Sequence, residues 1–373
     1  MKFLQVSEVF EQIEQVTARL QITRLLADLL GRASASQAAI ICSLSLGQLH
    51  PPYIGTKFNI AQKSIIKVLA EFFGRPEAII KQEAKRLGDV GAMLVDYEWS
   101  TQKELTVLQV YDSLCSIEKV SGVGSQEKKM KQLRILLADL DPLSAKYVVR
   151  IILGKIRLGF SDMTIIDALS WMEVGNKSLR SIIENAYNVC ADIGFIAEKL
   201  KKEGIKALEK MHIKVGIPIR PAAAERLPTI KAIIEKIGPC VAQPKFDGFR
   251  LQIHIDKTKK KPVIHFFSRN LQDMSFMFPD LTRELLALPV EDIICEGEAI
   301  GYDPNEGTFL PFQETVKRKR KHGIEKAVKD FPLKLFIFDL LYLNGKELLN
   351  ETHEQRRKKL KQLFKKFKSD QIF

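Results

Sequence analysis

Up to residue 210 the hydrophobic positions of the chain recur at intervals of three and four. Leu133, Leu136, Leu137 and Leu140 fall on one face of a predicted helix, and Ile165, Ile166 and Leu169 repeat the pattern. Ser125 is the expected N-cap of the first of these helices, and Ser161-Asp162 precede the second. Between them, Asp141 followed by Pro142 predicts a cap and first-turn pair, because proline lacks an amide that the first turn could not use anyway. This half reads as an all-α domain packed around those stripes.

Beyond residue 215 the period changes. Pro218, Pro221 and Pro228 cannot sit inside regular helices and mark a linker. Leu251, Ile253 and Ile255 then alternate with Gln252 and His254, which predicts a half-buried strand, with Val263 to Ser268 returning after the loop 256–262. Ile293 to Ile300 and Leu333 to Leu343 are further strands, the second closed by the turn pair Asn344-Gly345. Leu360, Leu363, Phe364 and Phe367 mark an amphipathic helix. The expected organisation is multidomain: an all-α domain over 1–212, a linker and the start of the next domain over 213–228, and an α+β domain with antiparallel sheets over 229–373.

Composition narrows the class. A chain of 373 residues exceeds what one core serves, and 46% hydrophobic with 28% charged residues is the balance of a globular protein. The 58 Lys and Arg against 45 Asp and Glu leave a net charge of +13, which attracts polyanions such as nucleic acid. Five cysteines, far apart and without a C-x-x-C pair, exclude a disulfide framework and a zinc site and predict buried thiols in a reducing cytosol. The opening MKFLQVSEVFEQIEQ has no signal-peptide core and no run reaches membrane-spanning length, so the expected place is cytoplasmic (nucleoid) or otherwise intracellular, with no membrane partner.

The chemistry is concentrated in Gln243-Pro-Lys-Phe-Asp-Gly-Phe-Arg250, which leads into the strand at Leu251. A lysine amine is a poor nucleophile while protonated, so Lys245 needs neighbouring cations or desolvation that favour the neutral form. Gly248 permits a close backbone approach. Downstream follow Phe267-Ser-Arg-Asn270 with Phe278-Pro-Asp280, Cys295-Glu-Gly-Glu298, and Pro311-Phe-Gln313. A basic run from Lys317 to Lys321, by itself the pattern of a solvated helix face, precedes Phe338-Asp-Leu-Leu-Tyr-Leu-Asn-Gly345 and His353-Glu-Gln-Arg-Arg357.

K-x-D-G-x-R is the nucleotide-attachment motif of covalent nucleotidyltransferases, and the order of these segments resembles the ATP-dependent DNA ligases. The resemblance implies that Lys245 attacks the α-phosphate of ATP and carries AMP as a phosphoramidate. It gives Arg250 a phosphate or ribose contact, brings Arg269 to the nucleotide, sets Glu298 on the ribose and on Mg²⁺, and stacks Phe338 on adenine. ATP and Mg²⁺ are therefore the expected cofactors. In place of the family's glutamate the chain has Gln243, whose carbonyl can still accept a hydrogen bond from the adenine amino group.

RNA ligases and capping enzymes share the lysine motif but carry no helical domain before it. Here Val120-Ser-Gly-Val-Gly-Ser-Gln-Glu-Lys128 and Lys155-Ile-Arg-Leu-Gly159 resemble the DNA-binding domain of archaeal and eukaryotic replicative ligases. Glycine turns at helix starts expose amides that hold phosphates without reading sequence, which makes Lys128, Lys155 and Arg157 candidate DNA contacts. The implied substrate is nicked duplex DNA, engaged by a monomer, with a sliding clamp as a further partner. The competing readings are an RNA ligase or capping-type nucleotidyltransferase and a truncated DNA-binding protein with a vestigial nucleotide pocket. After Gly345 neither the E-G-x-x-x-K nor the K-x-K segment of the family is found, nor room for its OB-fold. The expectation for this polypeptide is accordingly slow or absent adenylation and no nick sealing unaided.

Overall fold

Some helix starts in the first part of the chain follow side-chain capping chemistry. Asp141 accepts the Ser144 amide at 2.9 Å, with Pro142 in the first turn of the helix Pro142–Ile152. The preceding helix, Ser125–Ala138, begins differently from expectation. Gly122 and Gly124 take φ of 86° and 73°, so Gly124 occupies the cap and Ser125 is already helical. The left-handed turn, which a serine would resist, decides the boundary. Leu133, Leu136 and Leu137 are buried along this helix and Leu140 just beyond it, while Ile165, Ile166 and Leu169 are buried in the helix Asp162–Val174.

The computed structural model describes every residue except Gln102, Lys321, His322 and Lys366. The chain divides into two units, Met1–His212 and Ile213–Phe373. The first is built of helices and holds a buried ion network. Arg150 grips Glu14 with both Nη atoms, at 2.7 and 2.9 Å, and reaches Asp89 at 2.7 Å; Lys146 lies 3.0 Å from the same Glu14. Of the cysteines, Cys42, Cys190 and Cys295 are buried as expected, but Cys240 is exposed and Cys115 half-buried; none forms a disulfide.

The second unit is α+β. Its strands are β1 (Phe249–Asp256), β2 (Val263–Ser268), β3 (Asp292–Asp303), β4 (Thr308–Phe309), β5 (Leu333–Leu343) and β6 (Lys346–Glu347). They form one sheet in the order β2-β1-β3-β5-β6, with β4 on β3, and every strand pair is antiparallel. Asn344 and Gly345, at φ of 45° and 78°, make the tight turn between β5 and β6. One departure from the antiparallel pattern occurs at Ile372, which bridges Leu335 of β5 in parallel sense.

On one face of β1, Leu251, Ile253 and Ile255 join a core with Phe278, Leu281 and Leu285. Gln252 and His254, expected on a wet face, are buried as well. Gln252 exchanges two hydrogen bonds with the backbone of Ile219, at 2.7 and 3.0 Å, and His254 Nδ1 accepts the Gly216 amide at 3.0 Å. The start of the expected linker is thus strapped across β1. Burying these polar side chains is tolerated because each has a partner. The helix His353–Phe364 buries Leu360 and packs Leu363 and Phe364 on the core; Phe367 packs there too, past the helix end.

Candidate active site

Three consecutive residues fasten the loop that carries Lys245. The Phe246 ring stacks on Phe336 of β5, with centroids 4.6 Å apart. The Asp247 carboxylate accepts the Phe312 amide at 3.3 Å, and the Gly248 amide donates to Glu298 Oε1 at 3.1 Å. A Cβ on Gly248 would lie 2.4 Å from the Ala299 carbonyl oxygen. The close approach foreseen for Gly248 is therefore an approach to β3, and it sets the height of the loop above the sheet.

Register then assembles the site. Arg250 stands opposite Glu298 in the β1–β3 pair, and Glu298 stands opposite Phe336 in the β3–β5 pair. Side chains of alternate residues share a sheet face, so Phe336 and Phe338 lie on one side of β5, while Leu335 is buried on the other. A cavity of about 1340 Å³ is lined by Lys245, Arg250, Glu298 and Phe338 together with Gln243 and Arg269. All six residues assigned to the nucleotide from the sequence therefore line one cavity.

Within it, Arg250 donates to Glu296 at 2.6 Å and its guanidinium lies 5.8 Å from the centre of the Phe338 ring. Phe338 is half-buried on the cavity wall. Lys245, Gln243 and Arg269 are exposed at the cavity. Burial raises the Glu298 carboxyl above the usual carboxylate range, opposed by the Gly248 amide and by the charges of Arg250 and Lys245.

Sequence reading missed several participants. Phe246 and Phe336 form the stack beside the lysine, and Glu296 anchors Arg250. Four cations of the helix His353–Phe364 and its end, Arg357, Lys358, Lys361 and Lys365, line the same cavity. Their spacing of three and four was the available signal. In the basic run at 317–321, Lys317, Lys319 and Arg320 are exposed, as a solvated face would be, but Arg318 is fully buried, bonded to the carbonyls of Met277 and Phe331 and to Asp280. Lys321 of that run lies outside the described residues.

In the first unit Lys128 and Lys155 are exposed beside the two glycine turns. Arg157 differs. It holds φ of 60°, and its guanidinium donates to the Gly88 carbonyl at 2.8 Å and lies 3.5 Å from Asp89.

Among the described residues no group of three or more His, Cys, Asp or Glu side chains is placed to hold a metal ion, and no helix is long and apolar enough to cross a membrane. Mg²⁺ commonly takes only one or two carboxylates together with substrate phosphates, a demand that Glu298 on the cavity wall can meet.

Two family models match the chain: "DNA ligase N terminus" over residues 2–170 and "ATP dependent DNA ligase domain" over residues 221–372. A "Probable DNA ligase" of Dictyoglomus turgidum is 40% identical over 97% of this chain, and "DNA ligase 2" of Thermofilum pendens is 37% identical over 94%. The chain spans 62% and 60% of the length of these two relatives. The solved structure "Pmar-Lig_Pre." covers 98% of this chain and 65% of its own, with a TM-score of 0.50 and 15% identity, a likeness of fold alone.

Proposed function

The chain belongs to the ATP-dependent DNA ligase family, and from that premise we propose that Lys245 accepts AMP from ATP in the sealing of nicks in duplex DNA. The observation that carries the proposal is the convergence of Lys245, Arg250, Glu298 and Phe338 on one cavity, with the lysine loop pinned at Phe246, Asp247 and Gly248. The amine attacks the α-phosphorus. A P–N bond forms, the bond to the bridging oxygen of the β-phosphate breaks, pyrophosphate leaves with that electron pair, and the ammonium proton goes to solvent. AMP then passes to the 5′-phosphate of the nick, and the 3′-hydroxyl displaces it.

Each side chain has a part. The Phe338 ring offers a face for adenine, and Gln243 offers a carbonyl for its amino group. Arg250 and Arg269 present fixed forks of donors suited to phosphate oxygens. Glu298 serves the ribose and, with the phosphates, Mg²⁺, which supplies charge neutralisation on the triphosphate when bound. The helical unit holds the duplex by its phosphates through Lys128 and Lys155, as a substrate without consensus sequence requires. Both matched models are DNA ligase models, which speaks against an RNA ligase or capping enzyme.

Incubation with α-phosphate-labelled ATP and Mg²⁺ tests the proposal. Acid-labile label should appear on the chain, at the slow rate expected of this polypeptide, and disappear in Lys245→Ala. A wild-type chain that stays unlabelled yet binds nicked duplex in a salt-sensitive way would instead support a DNA-binding protein with a vestigial pocket.

A further inference from the structure

The cavity beside Lys245 carries more positive charge than an adenylate can use. Arg357, Lys358, Lys361 and Lys365 line it from the helix His353–Phe364 and the residue that follows it. A spacing of three and four puts them in one stripe, and the helical rise stretches that stripe over about 12 Å.

The other Arg and Lys side chains of this helix are already neutralised. Arg356 grips Asp339 at 2.8 and 3.0 Å, and Lys359 pairs with Glu351. Among the described residues, by contrast, Lys358, Lys361 and Lys365 have no carboxylate partner. Like charges four apart on a helix repel, at a cost of roughly 0.2–0.5 kcal/mol per pair. Favourable interaction with the helix dipole accounts for cations in the last turn only, and so for neither Arg357 nor Lys358.

The stripe is also registered to the nucleotide wall. Arg357 Nη1 donates to the carbonyl of Phe338 at 3.2 Å, which ties the stripe to the strand whose ring faces the cavity. An anion on the stripe is thereby held at a set distance from a base on Phe338.

We propose that this stripe is the seat of the β- and γ-phosphates of the bound nucleotide, and then of the departing pyrophosphate, so that the helix selects a triphosphate over a monophosphate. The proposal rests on the assignment of Lys245 as the AMP acceptor. A monophosphate brings too little charge to engage four extra cations, whereas the added phosphates of a triphosphate extend away from the base and supply it. Gathering charge on the leaving group also favours its departure, because the negative charge that develops there meets preorganised donors.

Titration calorimetry on the full chain, with Mg²⁺, tests the assignment. The probes are AMP, inorganic pyrophosphate and the α,β-methylene analogue of ATP, which Lys245 cannot cleave. In the triple variant Lys358→Ala/Lys361→Ala/Lys365→Ala the analogue should bind roughly tenfold or more weakly, AMP should stay within about twofold, and pyrophosphate binding should be lost. The triple Lys→Arg variant, which keeps the charges, should retain all three. Equal losses for AMP and the analogue, or pyrophosphate binding that survives the triple Ala variant, would overturn the proposal. So would unchanged binding of all three probes beside weakened binding of nicked duplex DNA, titrated as a fourth, which would assign the stripe to a DNA strand. Wild-type protein that binds AMP but shows no preference for the analogue defeats this inference alone. Wild-type protein that binds neither defeats the reading of Lys245 as well.

Discussion

Arg250 is held by Glu296 at 2.6 Å, across the seam between β1 and β3, before any nucleotide arrives. Glu296 is 9% exposed and Arg250 37%, so the pair is anchored at its carboxylate end and wet at its guanidinium end. Such an arrangement stores orientation: the arginine need not find its place when phosphate binds. We expect Glu296→Gln to cost about 1–2 kcal/mol of stability, held to that level by solvent screening of the exposed partner. Label transfer to Lys245 should fall roughly tenfold. Urea melts and the ATP labelling assay check the two effects, and unchanged labelling would show that Arg250 is not oriented by this contact.

Gly248→Ala should act on the site through the backbone. The new methyl would meet the Ala299 carbonyl oxygen at 2.4 Å, which cannot withdraw without parting β1 from β3, and would crowd Ile300 Cγ1 at 2.9 Å. Overpacking of this kind costs about 1–3 kcal/mol. The expected result is a lower denaturation midpoint with loss of labelling, since the amide that binds Glu298 moves with Lys245. Labelling at the wild-type level would contradict it.

How far the site was legible in the sequence follows from what local pattern encodes. Period-two alternation marked β1, the return after the loop 256–262 marked β2, the segments 293–300 and 333–343 marked the strands β3 and β5, and the spacing of K-x-D-G-x-R placed Lys245 and Arg250 at the mouth of β1. Partnerships between distant strands are not written in any window. Glu296 holds Arg250, and Phe336 stacks on Phe246, only because the antiparallel register brings them together. Polarity misled where a second layer exists: Gln252 and His254 look solvent-facing but are roofed by 216–219, and Arg318 looks like part of a wet basic run but is sealed against Asp280. The helical spacing of Arg357, Lys361 and Lys365 was visible, but what the stripe faces was not.

The three basic candidates of the helical unit should separate on mutation. Lys128→Glu and Lys155→Glu should weaken binding to any duplex sequence and lower the salt slope by about one each, as lost phosphate contacts do. Arg157→Ala should mainly destabilise the unit, because its guanidinium closes a left-handed turn onto Gly88 and Asp89. Fluorescence anisotropy across a salt series, set beside thermal melts, distinguishes the cases. A salt slope lowered by about one in Arg157→Ala with unchanged melting would reverse the assignment.

Glu14 makes the helical unit acid-sensitive. Burial alone would raise its carboxyl, but Arg150 and Lys146 outweigh burial and hold it at about 2, against an ordinary value of 4.5. A carboxyl depressed on folding adds stability that is complete above pH 4.5 and disappears as the pH falls through 2. The contribution is about 3 kcal/mol. Trp99 and Trp171 both lie in this unit, so tryptophan fluorescence follows it. Glu14→Gln should lower the urea midpoint at pH 7 and leave little further loss between pH 4.5 and 2 from this position.

His254 sets an acid response in the second unit at higher pH. Its imidazole is wholly buried, and desolvation lowers it to about 3 from an ordinary 6.5, with His265 adding to the shift and Asp273 opposing it. The neutral ring is part of the strap. Nδ1 accepts the Gly216 amide at 3.0 Å, which leaves the proton on Nε2, 2.9 Å from the Gln252 carbonyl oxygen. A second proton at Nδ1 would break the first of these bonds. Because the unfolded chain takes up this proton near pH 6.5 and the folded one only near 3, stability is intact above 6.5 and declines as the pH falls between those values. The loss at the lower end amounts to a few kcal/mol. Hydrogen exchange at Gly216 is the sharpest check. Its protection should fall between pH 6 and 4, and it should fall much less in His254→Gln, whose side-chain carbonyl can accept the same amide without titrating. Protection at Gly216 that is equally pH-dependent in both proteins would show that the strap opens for another reason.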